Sequence, residues 1–263
     1  MAMMDNDSEK SSSTTAIVLA LIAIVVAIFT VEFGLQTLAW VEGKIWVAQS
    51  PWLNIVPQAL PEPDASPAAA KKEPQLKAFD FEIDAPWPGD PKPTPFDEAV
   101  GFHYDTGQIL VFFDPGAQLD TIRTIQNSNP AEFQRFTNIF AGKPIETNLE
   151  LYRAVYGAAP SQISPLMNAN EAMRLNVLLL WKLSFGFDLP ADSGLYSFDW
   201  NMIRGFQFGD PAKGVAVALR AFDDRGHQFR FVLTTVPGSN AKITQDDVDK
   251  ILLTIQPVPF ADR

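Results

Sequence analysis

The sequence predicts an α+β protein with a single N-terminal transmembrane helix, a Pro/Ala-rich linker and one domain in which an antiparallel sheet is packed by helices. Three observations lead to this class. An uncharged apolar run spans residues 16–31, segments of two-residue hydrophobic period lie at both ends of the remaining chain, and segments of helical period lie between them. Strands at both ends with helices inserted between them are typical of α+β domains.

The predicted anchor covers residues 15–41 and follows a polar tail, residues 1–14. The apolar run has Thr30 as its only polar side chain, and in hydrocarbon only a helix pairs all its backbone groups internally. Because the run reaches only about 24 Å as a helix, against a hydrocarbon core of roughly 30 Å, we expect the helix to continue to Val41. A cleaved signal peptide is the alternative, which the acidic leader disfavours.

Five side chains in or after the anchor are candidates for contacts within the membrane or at its interface. Glu32 and Gln36 lie four residues apart and share a helix face. They lie either at headgroup depth or against a partner helix, to which they would hydrogen-bond. Trp40, Trp46 and Trp52 follow, and tryptophan prefers the membrane interface, which favours headgroup depth. The lipid bilayer and a membrane protein are therefore the expected partners.

The orientation of the anchor is weakly encoded, since Lys10 and Lys44 are essentially the only basic residues that flank it. A short polar N-terminus ahead of a long domain favours translocation of that domain. We expect a single-pass protein of the cell membrane whose domain lies outside the cytoplasm.

The segment 42–78 is predicted to be interfacial at its start and then a Pro/Ala-rich linker. Within it, residues 57–77 are nearly without large apolar side chains, and their prolines favour the polyproline II conformation. At about 3.1 Å per residue, such a spacer could hold the domain up to roughly 60 Å from the bilayer.

The domain is predicted at 79–257, with a short tail at 258–263. It opens with a strand at 79–84, a proline-rich loop at 86–95 that cannot be a central strand, and a hairpin whose turn is Asp105–Gln108. The strand Ile109–Phe113 is apolar on both faces, so we expect both to be covered. Helical periods follow at 117–127, 130–141, 148–156 and 168–184. The last is apolar nearly all round, Trp181 included, and is predicted to lie at the centre of the domain.

The C-terminal third returns to strands and ends in a helix. Four strands are predicted at 195–200, 205–209, 215–222 and 227–236, with a hairpin turn at 223–226. The final helix has Thr244 as its expected N-cap, and its apolar face is predicted to pack on the sheet. This face is formed by Val248, Ile251, Leu252 and Ile255.

The element order over residues 79–256, with its closing strand, strand and helix, resembles the PsbP-like α/β/α sandwich. The resemblance rests on this layout and implies a non-catalytic accessory or assembly domain. A likeness of fold does not by itself assign a function.

The composition limits the chemistry of the domain. The chain has no cysteine, two histidines and a formal net charge of −11, which makes nucleic acid an unexpected partner. His103 and His227 would form a two-histidine metal site with a carboxylate only if their strands adjoin. We identify no catalytic motif, and we expect no enzyme activity, no cofactor and no metal.

The expected function is therefore an accessory or scaffold role, in which the domain acts by binding within a membrane or envelope protein assembly. Aromatic residues are frequent on the predicted strands, so a groove for a lipid or a small hydrophobic ligand near the bilayer is the first alternative. A hydrolase without a recognisable motif is the second.

Overall fold

The computed structural model describes residues 50–63, 75–84, 86–117, 121–128, 130–140, 145–164, 166–185, 194–200, 203–214 and 216–257. Its strands are β1 (Gln58–Ala59), β2 (Gln75–Ala78), β3 (Phe81–Asp84), β4 (Lys92–Phe96), β5 (Ala99–His103), β6 (Gln108–Phe113), β7 (Leu195–Asp199), β8 (Ile203–Phe208), β9 (Val217–Asp223), β10 (Gln228–Thr235) and β11 (Gln256–Pro257). Its α-helices are α1 (Thr121–Ser128), α2 (Pro130–Ile139), α3 (Asn148–Gly157), α4 (Ala169–Phe185) and α5 (Gln245–Thr254). The predicted tail 1–14, anchor 15–41 and tail 258–263 lie outside the described residues.

The α+β class is confirmed, with a mixed sheet at its centre. This sheet has eight strands in the order β1-β7-β8-β9-β10-β6-β5-β4. All neighbours in it run antiparallel except β1 and β7, which are parallel. The predicted hairpins β5–β6 and β9–β10 both form, with antiparallel pairing on either side of each predicted turn.

One face of this central sheet is covered by a three-stranded sheet, in the order β11-β3-β2, and by α5. Aromatic rings dominate the core between them, with Phe112 stacked on Phe231 at 4.8 Å and Phe81 edge-on to Phe229 at 5.0 Å. Helix α5 begins as predicted, since Thr244 is its N-cap and forms a capping box with Asp247.

The other face is covered in part by helices. The second core joins α1, α3 and α4 to the side chains of β7, β8 and β9 on this face. Tyr156 of α3 lies edge-on to Phe206 and Phe208 of β8, at 4.9 and 5.1 Å. The predicted helix bounds at 130–141, 148–156 and 168–184 agree with α2, α3 and α4 to within two residues.

Folded structure begins upstream of residue 79, the predicted start of the domain. Strand β1 pairs with β7, and β2 pairs with β3. The first predicted strand therefore starts two residues late, since Phe79 lies in the β2–β3 turn with φ +55° and is 41% exposed. Both ends of the predicted spacer 57–77 are therefore paired within the sheets, whereas residues 64–74 lie outside the described residues. A two-residue strand such as β1 has no period that the sequence could reveal.

The proline-rich segment 86–95 is not wholly a loop, because β4 occupies its second half. This strand lies at the edge of the central sheet and all its residues are exposed. Pro93 and Pro95 are tolerated there, since an edge strand has one side that needs no ladder hydrogen bonds. The expectation that this segment could not be a central strand is confirmed.

Helix α4 does not lie at the centre of the domain, which corrects the sequence-based expectation. Leu178 and Leu179 are buried, but Met173 is 54% and Leu180 50% exposed, so the helix covers the sheet with one face only. Trp181 is partly buried against the second core. Apolar side chains all round a helix therefore did not mean that the helix is enclosed on all sides.

Candidate functional site

Four of the five side chains predicted to contact the membrane, Glu32, Gln36, Trp40 and Trp46, lie outside the described residues. Within the described part of the chain, no helix is both long and apolar enough to cross a bilayer. The fifth, Trp52, is 5% exposed and lies in the second core, in a 3-10 helix, Pro51–Asn54. Its interfacial placement is therefore corrected: the indole packs against Phe208, with ring centroids 6.3 Å apart, and not against lipid.

Trp52 is fixed by the main chain of α4. Its Nε1 donates a hydrogen bond to the carbonyl oxygen of Lys182 at 3.3 Å. A buried indole N–H needs such an acceptor, because leaving it unpaired costs about 1–3 kcal/mol. The sequence could not indicate this partner, which lies 130 residues further along the chain.

Lys182 itself is completely buried on the same helix. Its ammonium group donates to four main-chain carbonyls at 2.6 to 3.3 Å, two from the N-terminal segment and two from the end of α3. The acceptors are Leu53, Ile55, Tyr156 and Ala158. The carbonyls at a helix C-terminus carry partial negative charge, so the end of α3 suits a cation.

The ammonium group of Lys182 thus fastens three parts of the chain together, namely residues 53–55, the end of α3, and α4. Burial lowers the pKa of Lys182 to about 8, because the charged form loses its hydration. The carbonyl oxygens act in the opposite sense and stabilise the ammonium. The only sign of this site in the sequence was a lysine within the apolar run Val177–Leu183. The helical period of that run does not show what the lysine contacts.

The two histidines do not come together. His103 belongs to the cross-strand row of Ile109 and Thr234, near the end of β10, whereas His227 precedes the start of β10. His227 Nδ1 lies 2.7 Å from Asp223 Oδ2, and the other carboxylate oxygen accepts from main-chain N–H groups of the turn. Asp223 therefore closes the β9–β10 turn. In the described part, no three potential metal ligands are grouped.

A row of side chains crosses six strands on the helix-covered face of the central sheet. Successive register partners along this row are Phe206, Arg220, Arg230, Phe113, Ala99 and Phe96. Arg220 and Arg230 are therefore directly opposite each other on β9 and β10, with Cβ atoms about 5 Å apart. Both side chains are partly buried.

Each arginine of this pair is stacked on an aromatic ring. The guanidinium carbon of Arg220 lies 4.2 Å from the ring centroid of Tyr152, and that of Arg230 lies 4.3 Å from the ring centroid of Phe113. Within the described structure, neither guanidinium has an ion-pair or hydrogen-bond partner. Two like charges are thus held side by side, and no carboxylate of the described residues is paired with either.

The hydroxyl of Tyr156 is a further donor within the electrostatic influence of this pair. It is buried and has no hydrogen-bond partner among the described residues. Burial raises the pKa of Tyr156 to about 12, and the positive charges of Arg220 and Arg230 oppose that rise. The site therefore offers two guanidinium groups and one hydroxyl, all of which could bind an anion.

An apolar patch continues from Phe113 on the same sheet face. It consists of Ile109, Val111, Phe113, Val232 and Phe96, which belong to neither core. The first four are partly exposed and Phe96 is 56% exposed. Phe96 lies across Gly101, where an added Cβ would come within 3.0 Å of its ring. A surface depression of about 780 Å³ lies here, lined by Phe96, Val111 and Phe113, and by Asp97 and Glu98 at the β4–β5 turn.

Sequence reasoning placed aromatic and apolar residues on these strands but did not find the arginine pair. The alternation of Arg220 and Arg230 with buried residues was visible, while their pairing depends on the register between β9 and β10. Comparisons of the chain with protein-family models, with curated proteins and with solved structures gave no match.

Proposed function

We propose that this chain is a single-pass membrane-anchored accessory or scaffold protein, whose α+β domain acts by binding within a membrane or envelope protein assembly. The anchor rests on the uncharged run 16–31. The observation that carries the role of the domain is the attachment of residues 52–55 to its core by Trp52 and Lys182. Because the chain enters the core so soon after the predicted anchor, the domain would be held at a defined position relative to the bilayer.

The short connection sets the distance from the bilayer. Residues 42–49, between the predicted anchor and the described structure, span at most about 28 Å when fully extended. The domain would therefore stand much closer to the bilayer than a polyproline spacer over 57–77 would allow. Such a position suits contact with the membrane-proximal part of a neighbouring protein.

The side of the membrane and the finer fold assignment belong to the same proposal. The domain lies outside the cytoplasm, as the short polar N-terminus favours. The PsbP-like layout supports an assembly role in place of catalysis. The layered layout is supported by a central sheet that carries helices on one face and a three-stranded sheet with α5 on the other.

Membrane attachment is tested by extracting membranes with alkaline carbonate. The full chain is expected to stay in the pellet, whereas a variant without residues 15–41 is expected to become extractable. Release of the full chain by carbonate, or cleavage of its N-terminus shown by mass spectrometry, would contradict the anchor.

The side of the membrane is tested with single cysteines, since the chain has none of its own. Ser239→Cys lies in an exposed loop and is expected to react with an impermeant maleimide in intact cells. Ser8→Cys, in the opposite tail, is the matched control and should react only after lysis. The reverse pattern would place the domain in the cytoplasm.

The scaffold role predicts that a membrane protein co-purifies with the full chain in mild detergent at constant stoichiometry. Glu32→Leu distinguishes the two interpretations of the anchor: loss of the partner supports hydrogen bonding to a partner helix, and retention supports headgroup depth. Absence of any stoichiometric partner would contradict the scaffold role. Binding of a hydrophobic ligand is the second candidate, favoured by the apolar patch beside the arginine pair.

A further inference from the structure

We propose that Arg220, Arg230 and the hydroxyl of Tyr156 bind the carboxylate or phosphate headgroup of an amphiphile, whose apolar chain lies on the patch beginning at Phe113. The proposal deepens the second candidate function and does not depend on the predicted anchor.

Arg220 and Arg230 repel each other across the β9–β10 pair. Like charges directly opposite each other on antiparallel strands are destabilising, and partial burial reduces the water that would screen them. In the described structure no carboxylate compensates for the two guanidinium groups. An anion between them removes the repulsion and accepts charge-assisted hydrogen bonds, for which the guanidinium fork is suited.

The stacking of the pair provides preorganisation. Tyr152 and Phe113 hold the two guanidinium planes at 4.2 and 4.3 Å before any ligand arrives. An arginine that is already immobilised loses less side-chain entropy on binding. The other arginines of this region differ, because Arg153 and Arg204 are both paired with Asp199, at 2.6 and 3.0 Å.

Tyr156 gives the second, independent observation. Its hydroxyl is buried and has no partner in the part of the chain that the structure describes, although a buried polar group normally has one. It lies within the field of both arginines. The ring of Tyr156 packs against Tyr152, Phe206 and Phe208, and a headgroup oxygen that reaches its hydroxyl would give that hydroxyl a partner.

The apolar part of the ligand follows from continuity. Arg230 is stacked on Phe113, and Phe113 lines the depression that contains Val111 and Phe96. The alkyl chain of a ligand that runs from the headgroup site along this cross-strand row of side chains therefore contacts apolar side chains immediately. Asp97 and Glu98 line the same depression at the β4–β5 turn, so an anionic headgroup is excluded from that end. Burying apolar surface here contributes roughly 25 cal/mol per Å².

The experiment titrates the full chain, reconstituted in phosphatidylcholine nanodiscs, with octyl phosphate in a calorimeter, and empty nanodiscs supply the background. Inorganic phosphate and 1-octanol supply the head and the tail alone. Octyl phosphate is expected to bind at least about tenfold more tightly than either, since head and tail contribute together. No binding of octyl phosphate, or equal binding of 1-octanol, overturns the proposal.

The variants separate head from tail. Arg220→Gln and Arg230→Gln are each expected to weaken the affinity for octyl phosphate by about tenfold or more. Arg204→Gln removes the same charge from the same sheet face, on β8. This variant is expected to bind octyl phosphate as tightly as the unmodified chain does. Val111→Thr is expected to weaken octyl phosphate while leaving inorganic phosphate unchanged. Unchanged binding by Arg220→Gln/Arg230→Gln, or equal weakening by Arg204→Gln, overturns the proposal.

Two controls keep the test decisive. Circular dichroism shows whether each variant folds, and Arg220→Lys and Arg230→Lys, which keep the charge, replace any glutamine variant that does not. With nanodiscs containing phosphatidylglycerol, competition against octyl phosphate identifies a lipid headgroup as the source. Unchanged binding in those discs identifies a ligand that is not part of the bilayer. Either result supports the anionic site.

Discussion

Lys182 and the pair Arg220–Arg230 are two cationic sites on the same side of the central sheet, and they differ in how their donors are used. The lysine is completely buried and has four carbonyl acceptors within 3.3 Å. The arginines are partly buried and have aromatic rings beside them but no acceptor in the described structure.

The difference separates a structural cation from a binding cation. Where main-chain acceptors surround a buried cation, its N–H groups satisfy those carbonyls and join the segments that supply them, although burial of the charge itself costs free energy, as the lowered pKa of Lys182 shows. Where two partly buried cations face each other without a carboxylate of the described residues, their repulsion costs free energy that an external anion would relieve. Removing the first kind of cation should therefore unfold the domain, and removing the second should affect binding only.

The largest effect is expected from Lys182→Met. The carbonyls of Leu53, Ile55, Tyr156 and Ala158 would lose a shared donor in a buried place, which we expect to lower the free energy of unfolding by at least about 3 kcal/mol. Urea denaturation of the full chain in mild detergent measures it. Lys242→Met, at an exposed position, is the control and should change stability by less than about 0.5 kcal/mol. Equal stability of the two variants would contradict the structural role.

The next effect is a pH dependence of stability. The pKa of Lys182 is lowered from 10.5 to about 8 in the folded state. Between these values the unfolded chain binds the proton and the folded chain does not, so stability from this group rises as pH rises from about 8 to 10.5. The total gain is at most about 3 kcal/mol. The urea midpoint of the unmodified chain minus that of Lys182→Met, measured against pH, should rise in this window; a falling difference would contradict the assignment.

A smaller effect is expected from Trp52→Phe. It removes the hydrogen bond to the carbonyl oxygen of Lys182 and leaves a small cavity, for a combined loss of about 1–2 kcal/mol. Trp87→Phe is the matched control, because the Nε1 of Trp87 is buried and has no hydrogen-bond partner within the described structure. It should destabilise the domain less than Trp52→Phe does. The opposite order, measured by thermal unfolding, would show that the hydrogen bond does not hold the N-terminal segment.

The smallest effect on stability is expected from Arg220→Gln. Relief of the repulsion by Arg230 offsets the lost contact with Tyr152, so the free energy of unfolding should change by less than about 0.5 kcal/mol in the absence of ligand. Urea denaturation measures this, with Arg204→Gln alongside. A loss above about 1.5 kcal/mol would make the arginine pair structural and remove the contrast with Lys182.

Much of the fold could be predicted because it is encoded locally. Helices α2, α3 and α4 agree with their predicted bounds to within two residues, and Thr244 is the N-cap that its hydroxyl and the following acids indicated. The β9–β10 turn was likewise visible from its own residues. The upstream start of the domain was missed, since β1 has two residues and depends on β7 for its partner.

The candidate sites were harder to predict because each joins distant parts of the chain. The sequence around Trp52 suits a membrane interface and a core equally well. The two are distinguished only by the tertiary structure, in which the indole donates a hydrogen bond to the carbonyl oxygen of Lys182. Arg220 and Arg230 each look like the polar side of a strand. Their meeting depends on the β9–β10 register, and the absence of an acceptor depends on what packs above them.

The hydrophobic run 16–31, the positions of most helices and strands, and the α+β class can be read from the sequence, because hydrophobic periods, caps and turns act over a few residues. Three features depend on the folded chain: where the domain begins, which carbonyls surround Lys182, and where two arginines face each other without a partner among the described residues. These features depend on strand register and on packing between distant residues. Lys182 and Leu53, for example, lie more than a hundred positions apart. No local pattern carries that information.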